Sequence, residues 1–172
     1  IPNQWNIMRG KKSVGYIQNL RDEPGVRVMA KPMGVTGCVM PSTNPVATII
    51  GNAMMALKGR NSVIIAPHPM SVRLSVKMVK LLREALESVG APADLIQCIS
   101  EEYASREATN LMMSTCDACI STGGAGRVKA AYSSGKPAFG VGQGNVQEIV
   151  DLGISDAELE RQATLCVAHR AK

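Results

Sequence analysis

The sequence predicts a doubly wound parallel α/β sheet. Short apolar runs alternate with helical periodicity from Val35 onward, their connections are brief, and the last two runs end in glycine-rich turns. The runs are continuously apolar, as strands covered on both faces must be.

Gly34–Met40 reads as the first such strand, stopped by Pro41. Asn44 is placed to cap a helix whose first turn holds Pro45, where a missing N–H leaves no bond unmade. Val46, Ile49, Ile50, Ala53 and Leu57 line one face of that helix before Gly59 ends it. Val63–Ala66 is the second strand, broken by Pro67-His68-Pro69. A helix over 71–89 follows, with Val72, Val76, Val79, Leu82, Leu86 and Val89 at spacings of three and four, and Gly90 and Pro92 behind it. Leu95–Ile99 is a strand, 105–114 a short helix, Ala118–Ser121 a strand, 125–134 a helix and Pro137–Val141 a strand. Ser155-Asp156-Ala157-Glu158 has capping-box spacing and opens a last helix to about Arg170, where His169 sits to serve the helix dipole. Residues 1–33 lack this periodicity and read as an arm or hairpin; 34–172 read as one domain.

Composition narrows the classes. With 45% hydrophobic and 19% charged residues over 172 positions, the chain suits one globular unit with a real core. No apolar run approaches the ~20 residues a membrane helix needs, so no membrane span is expected. The net charge of +5 is concentrated in the first 31 residues, where Arg9, Lys11, Lys12, Arg21, Arg27 and Lys31 face only Asp22 and Glu23. Aromatic residues are 3%, too few for a base-stacking platform, so nucleic acid is not an expected partner. Five cysteines (Cys38, Cys98, Cys116, Cys119 and Cys166) lie mostly inside apolar runs and read as reduced thiols of a cytoplasmic protein. Cys116 and Cys119 have C-x-x-C spacing without a second pair, so they read as small core residues and no metal site is expected.

Ligands of doubly wound sheets bind beyond the carboxyl ends of strands. The loops that matter are then 41–44, 67–69, 122–124 and 142–145. Thr122-Gly123-Gly124 opens a helix with bare backbone N–H groups, a neutral cradle for a diphosphate. Gly142 and Gly144 give a second turn that a ligand can approach closely. These turns make a nucleotide crevice the first expectation, with phosphate or diphosphate in the cradle. Gly10-Lys11-Lys12-Ser13 imitates the end of a P-loop, but Trp5 stands where its first glycine belongs. Gly140-x-Gly142-x-Gly144 is not the G-x-G-x-x-G of ordinary Rossmann dehydrogenases and follows a late strand.

Pro41-Ser42-Thr43-Asn44-Pro45, Ala66-Pro67-His68-Pro69, the stretch from Ser121 to Ala138, and Gly140–Asn145 occur in an order that resembles the CoA-acylating branch of the aldehyde dehydrogenase superfamily, over about Val14 to Asp151. The resemblance implies a Rossmann-like cofactor-binding domain, a small aldehyde and coenzyme A as substrates, NAD or NADP as acceptor, and a homo-oligomer. It implies that Asn44 holds the thiohemiacetal oxyanion, and that Pro41, Ser42, Thr43, Pro67, His68, Thr122, Gly123, Gly124, Gly142 and Gly144 border the cofactor. Ser71 or Arg73 would stand near a 2′-phosphate. None of the five cysteines takes the nucleophile's place, so that residue is expected past Lys172 and the chain alone to lack activity. Hydrolytic members carry a glutamate at the start of the last loop; Phe139-Gly140-Val141-Gly142 has none. A water-activating base is worth roughly 10²–10⁴ in rate, so its absence favours CoA over water. A hydrolytic enzyme and a non-catalytic nucleotide-binding or assembly module of the same fold stay open on the sequence. So do the aldehyde and the choice between NAD and NADP.

Overall fold

A computed structural model of the chain describes residues 2–17, 25–144 and 153–170, the side chains of 169 and 170 excepted. Arg21, Asp22, Glu23, Asn145 and the side chain of His169 therefore lie outside the described residues. The first described element is a helix, α1 (Pro2–Met8), within the segment that the sequence reads as an arm or hairpin. An antiparallel pair follows, β1 (Gly15–Ile17) with β2 (Val28–Ala30). Gly10-Lys11-Lys12-Ser13 is used for docking: Lys58 Nζ donates to the Lys11 carbonyl (2.7 Å) and the Ser13 hydroxyl to the Lys58 carbonyl (2.7 Å).

The remaining elements are β3 (Val35–Val39), α2 (Pro45–Lys58), β4 (Ser62–Ala66), α3 (Val72–Ser88), β5 (Ile96–Cys98), α4 (Arg106–Thr115), β6 (Ala118–Thr122), α5 (Ala125–Tyr132), β7 (Ala138–Val141) and α6 (Asp156–Arg170). Strands β3 to β7 form one parallel sheet in the order β5-β4-β3-β6-β7. The chain winds outward from β3 through β4 to β5, then returns to lay β6 on the other side of β3. The direction of winding thus reverses between β3 and β6.

Successive residues of the central strands pack on opposite faces, and both faces are covered. Cys38 and Met40 of the first strand, Val63 and Ile65 of the second and Ile96 pack with Ile49, Ala53 and Ala56 of α2 and Val79 of α3 on one face. Val39, Ala66 and Cys119 pack with Met112, Met113 and Ala131, from α4 and α5, on the other. Cys116 and Cys119 are both buried here, and the Cys119 thiol donates to the Met113 carbonyl (3.2 Å). Element ends differ from the sequence reading by one or two residues. Ser71 closes a 3₁₀ turn (Pro69–Ser71) before α3 because His68, not Ser71, caps that segment. Ser155 does accept from the Glu158 N–H (3.4 Å), but Glu158 turns its carboxylate to Arg161 and Gln162 instead of completing a capping box.

Candidate functional site

Register delivers the loops to one level. Val39 pairs with Ala66 and with Ser121, and Thr122 pairs with Val141, so the first, second, fourth and fifth strands of the sheet end together. Two further bonds extend the ladders by a residue: the Met40 N–H donates to the Ala66 carbonyl (3.0 Å) and the Gly123 N–H to the Val141 carbonyl (3.1 Å). The loops that leave this rim enclose a cleft of about 780 Å³ over the β3/β6 reversal, where α/β sheets bind ligands. Pro41, Ser42 and Thr43, Thr122, Gly123 and Gly124, and Gly142, Gln143 and Gly144 line it, together with His68 and Arg127. Among the described residues no carboxylate lines it.

The glycines are required for room, not for unusual backbone angles. None of Gly123, Gly124, Gly142 or Gly144 has a positive φ. A Cβ built on Gly124, Gly142 or Gly144 meets nothing within 4 Å, so a side chain there would project into open space. At Gly123 the nearest atom is Cδ of Arg127, 3.2 Å from the added carbon. Gly124 precedes α5, whose first N–H groups have no intrahelical acceptor and carry the positive end of the helix dipole. This geometry fits a diphosphate, for which bare N–H groups and absent side chains are the recurring receptor.

Asn44 stands at the start of α2, exposed, and its side chain does not cap the helix. The Thr48 hydroxyl lies 2.9 Å from the Asn44 carbonyl oxygen and 3.2 Å from Oδ1, which holds the amide oxygen against the first helical turn. The amide NH₂ has no hydrogen-bond acceptor among the described residues and is free to donate to a ligand. The backbone carbonyl accepts from the Thr48 N–H (3.2 Å), while the side chain makes no cap bond.

His68 is half-buried, and its Nδ1 accepts from the Met70 N–H (3.2 Å). Burial, and then the nearby Arg127 guanidinium, hold its pKa below 6.5, which keeps Nδ1 unprotonated and able to accept. Pro67 lines a neighbouring groove of about 430 Å³ between the starts of α4 and α5. Ser71 and Arg73 do not line the cleft. The Ser71 hydroxyl donates to the His68 carbonyl (3.3 Å), and Arg73 pairs with Glu101 (2.9 Å). The cation that does stand there, Arg127, went unnoticed in the sequence; its mark was an arginine within the first turn of a helix that follows a glycine turn.

The cysteines of the sheet offer no nucleophile. Burial pushes the Cys38 thiol up to about 12 and Cys98 to about 11, and it raises Cys116 and Cys119 as well. Among the described residues no group of three or more His, Cys, Asp or Glu side chains is placed to hold a metal ion. No described helix is long and apolar enough to cross a membrane.

Residues 6–138 match the model of the aldehyde dehydrogenase family. An acetylating succinate-semialdehyde dehydrogenase of Clostridium kluyveri is 50% identical over 149 residues, covering 87% of this chain and 32% of that protein. The crystal structure of an acetylating aldehyde dehydrogenase from Geobacillus thermoglucosidasius superposes with a TM-score of 0.75 at 43% identity, over 83% of this chain and 31% of the other. An engineered glycolyl-CoA reductase with bound NADP⁺ gives a TM-score of 0.66 at 39% identity, over 69% of this chain and 27% of that one. The chain spans about a third of the length of these relatives. With its sheet order, its rim of loops and these matches in agreement, the chain belongs to the aldehyde dehydrogenase family.

Proposed function

We propose that this chain, with residues 1–33 as an appended arm and 34–172 as the binding domain, is the NAD(P)-binding part of an enzyme that converts a small aldehyde and coenzyme A to an acyl-CoA. The observation that carries the reading is the cleft at the β3/β6 reversal, with the glycine turns 122–124 and 142–144 in its lining and no carboxylate among the described residues that line it. The overall change is aldehyde plus CoA thiol plus NAD(P)⁺ to acyl-CoA plus NAD(P)H plus a proton, with the dinucleotide supplying the hydride acceptor.

The residues divide the work. The 122–124 turn and the first N–H groups of α5 hold the diphosphate, and the glycines of 142–144 let the nicotinamide end lie against backbone. Asn44 donates its amide to the oxygen that becomes negative when a thiolate adds to the aldehyde. Cys38, Cys116 and Cys119 are buried and the half-buried Cys98 has its thiol pushed up to about 11, so the thiolate is supplied by the remainder of the relatives' length, which this chain does not span. Among the described residues that line the cleft no carboxylate is present to take a proton from water, and His68 spends Nδ1 on Met70. The acyl-enzyme thioester then persists until the CoA thiolate attacks. Reduced thiols suit a cytoplasmic setting, and the exposed Trp5, Ile7 and Met29 of the N-terminal segment supply apolar surface for assembly into a homo-oligomer.

Product analysis on the full-length protein tests this. Acyl-CoA should form only when aldehyde, coenzyme A and dinucleotide are all present, and acid should form slowly or not at all. Rapid acid production without coenzyme A would make the enzyme hydrolytic; dinucleotide binding without turnover would make it a binding module.

A further inference from the structure

We infer that Thr48 is a positioning residue that aims the Asn44 amide, holding its oxygen so that its NH₂ is the end presented to the reacting oxygen. The inference rests on the donor role proposed for Asn44 above and extends it to a residue that acts only through Asn44.

Asn44 occupies the position from which an asparagine ordinarily caps a helix, its side-chain oxygen accepting from the second or third N–H of the first turn. Here those donors are Val46 and Ala47, which have no intrahelical acceptor, yet Asn44 makes no cap bond to them. Its backbone also departs from cap geometry, with ψ at 58° where a capping residue is extended. Thr48 accounts for both departures. Its N–H donates to the Asn44 carbonyl (3.2 Å), and its hydroxyl is shared between that carbonyl (2.9 Å) and Oδ1 (3.2 Å). The Thr43 hydroxyl adds a longer contact to the same Oδ1 (3.5 Å). One residue of α2 thus holds both the main chain and the side chain of residue 44.

That grip matters because a primary amide has two ends of opposite sign. An oxyanion is stabilised by the NH₂ and repelled by Oδ1, and a half-turn of the amide exchanges them. A hydroxyl proton beside Oδ1 selects the orientation with the NH₂ outward. Without that proton, Oδ1 is released to the uncapped N–H groups of α2, and the amide turns from donation to capping. Thr43, the preceding residue, lines the cleft, so the choice between the two orientations is made at the cleft's edge.

Steady-state kinetics on the full-length protein test this, with whichever of acetaldehyde, propionaldehyde and succinate semialdehyde it oxidises fastest. Thr48→Val removes the hydroxyl and keeps the shape. It should lower kcat by about tenfold, the worth of one hydrogen bond, and leave the aldehyde KM and the dinucleotide Kd within about twofold. Thr48→Ser keeps the hydroxyl and should return most of kcat. In an Asn44→Ala background, Thr48→Val should change kcat by less than about twofold, because no amide is left to aim. The unfolding midpoint of Thr48→Val should hold or rise as the released oxygen caps α2. A midpoint that falls in step with kcat would make Thr48 a support of the helix and overturn the inference. So would a Thr48→Val protein with full kcat, or losses at the two sites that simply multiply, with Asn44→Ala still impaired. If Asn44→Ala itself keeps its kcat, the donor reading underneath falls and takes the inference with it.

Discussion

Asn44 and Arg127 are the residues whose chemistry is most exposed to test. Asn44 keeps its oxygen on Thr48 and its NH₂ unspent. Replacing it by alanine in the full-length protein should lower kcat by about 10²–10³, the usual value of one oxyanion donor, while dinucleotide affinity moves little. A fall in affinity with kcat intact would assign Asn44 to binding instead. Arg127 also sets the charge felt by His68. Its guanidinium is the second cause, after burial, of the lowered imidazole pKa, so Arg127→Met should move that pKa upward, part of the way to 6.5, in an NMR titration. The sign for stability follows from the same shift. Native His68 takes up its proton at lower pH than the unfolded chain does, so stability is complete above about pH 6.5 and declines as pH falls below it. These roles were unequally legible in the sequence. Asn44 was singled out as a proposed donor by the resemblance of its proline-bracketed loop, whereas Arg127 looked like an ordinary helical cation, because nothing in one dimension shows that it lines the same cleft as His68 and the glycine turns.

At the level of elements, strand and helix identities from Val35 onward were readable because each strand is a continuous apolar run and each helix has its own stripe. What periodicity could not supply was α1, too short and too sparsely buried to leave a pattern, and the 3₁₀ turn that displaces the start of α3. Nor could it show how tightly α5 lies on β7. The Gly140 N–H donates to the Tyr132 hydroxyl (3.1 Å), and a Cβ on Gly140 would collide with Val128 Cγ1 and the Tyr132 ring. Gly140→Ala should therefore force α5 from β7 and destabilise the full-length protein by about 1–3 kcal/mol in denaturant unfolding. An unchanged midpoint would show that the contact is loose. Gly34 is a second such point: its φ is +119° and its Cβ would strike the Asp117 carboxylate, which accepts from the Val35 N–H (2.8 Å). That bond ties the entrance of β3 to the entrance of β6 across the sheet's point of reversal.

The whole molecule is organised around that reversal. Two cores of similar depth, one on each face, clamp the central strands so that four loops emerge at one height. Ile65, fully buried in the second strand of the sheet, shows the dependence of site on core. Ile65→Ala should reduce stability by about 2–5 kcal/mol and weaken dinucleotide binding only as far as the native population falls. A selective loss of binding with stability intact would mean that the strand itself reports on ligand. The fold class was legible because its topology is set by the alternation of elements. The make-up of the cleft was legible only in part, since Phe139–Gly142 showed one missing carboxylate but not that Arg127 and His68 line the same cleft as the glycine turns. The decisive measurement is a crystal structure of the full-length protein soaked with dinucleotide. The diphosphate should lie against Gly123 and Gly124, between the ends of β3 and β6, with the nicotinamide end toward Gly142–Gly144. Density at another edge of the sheet, with those glycines touching only protein, would contradict the account.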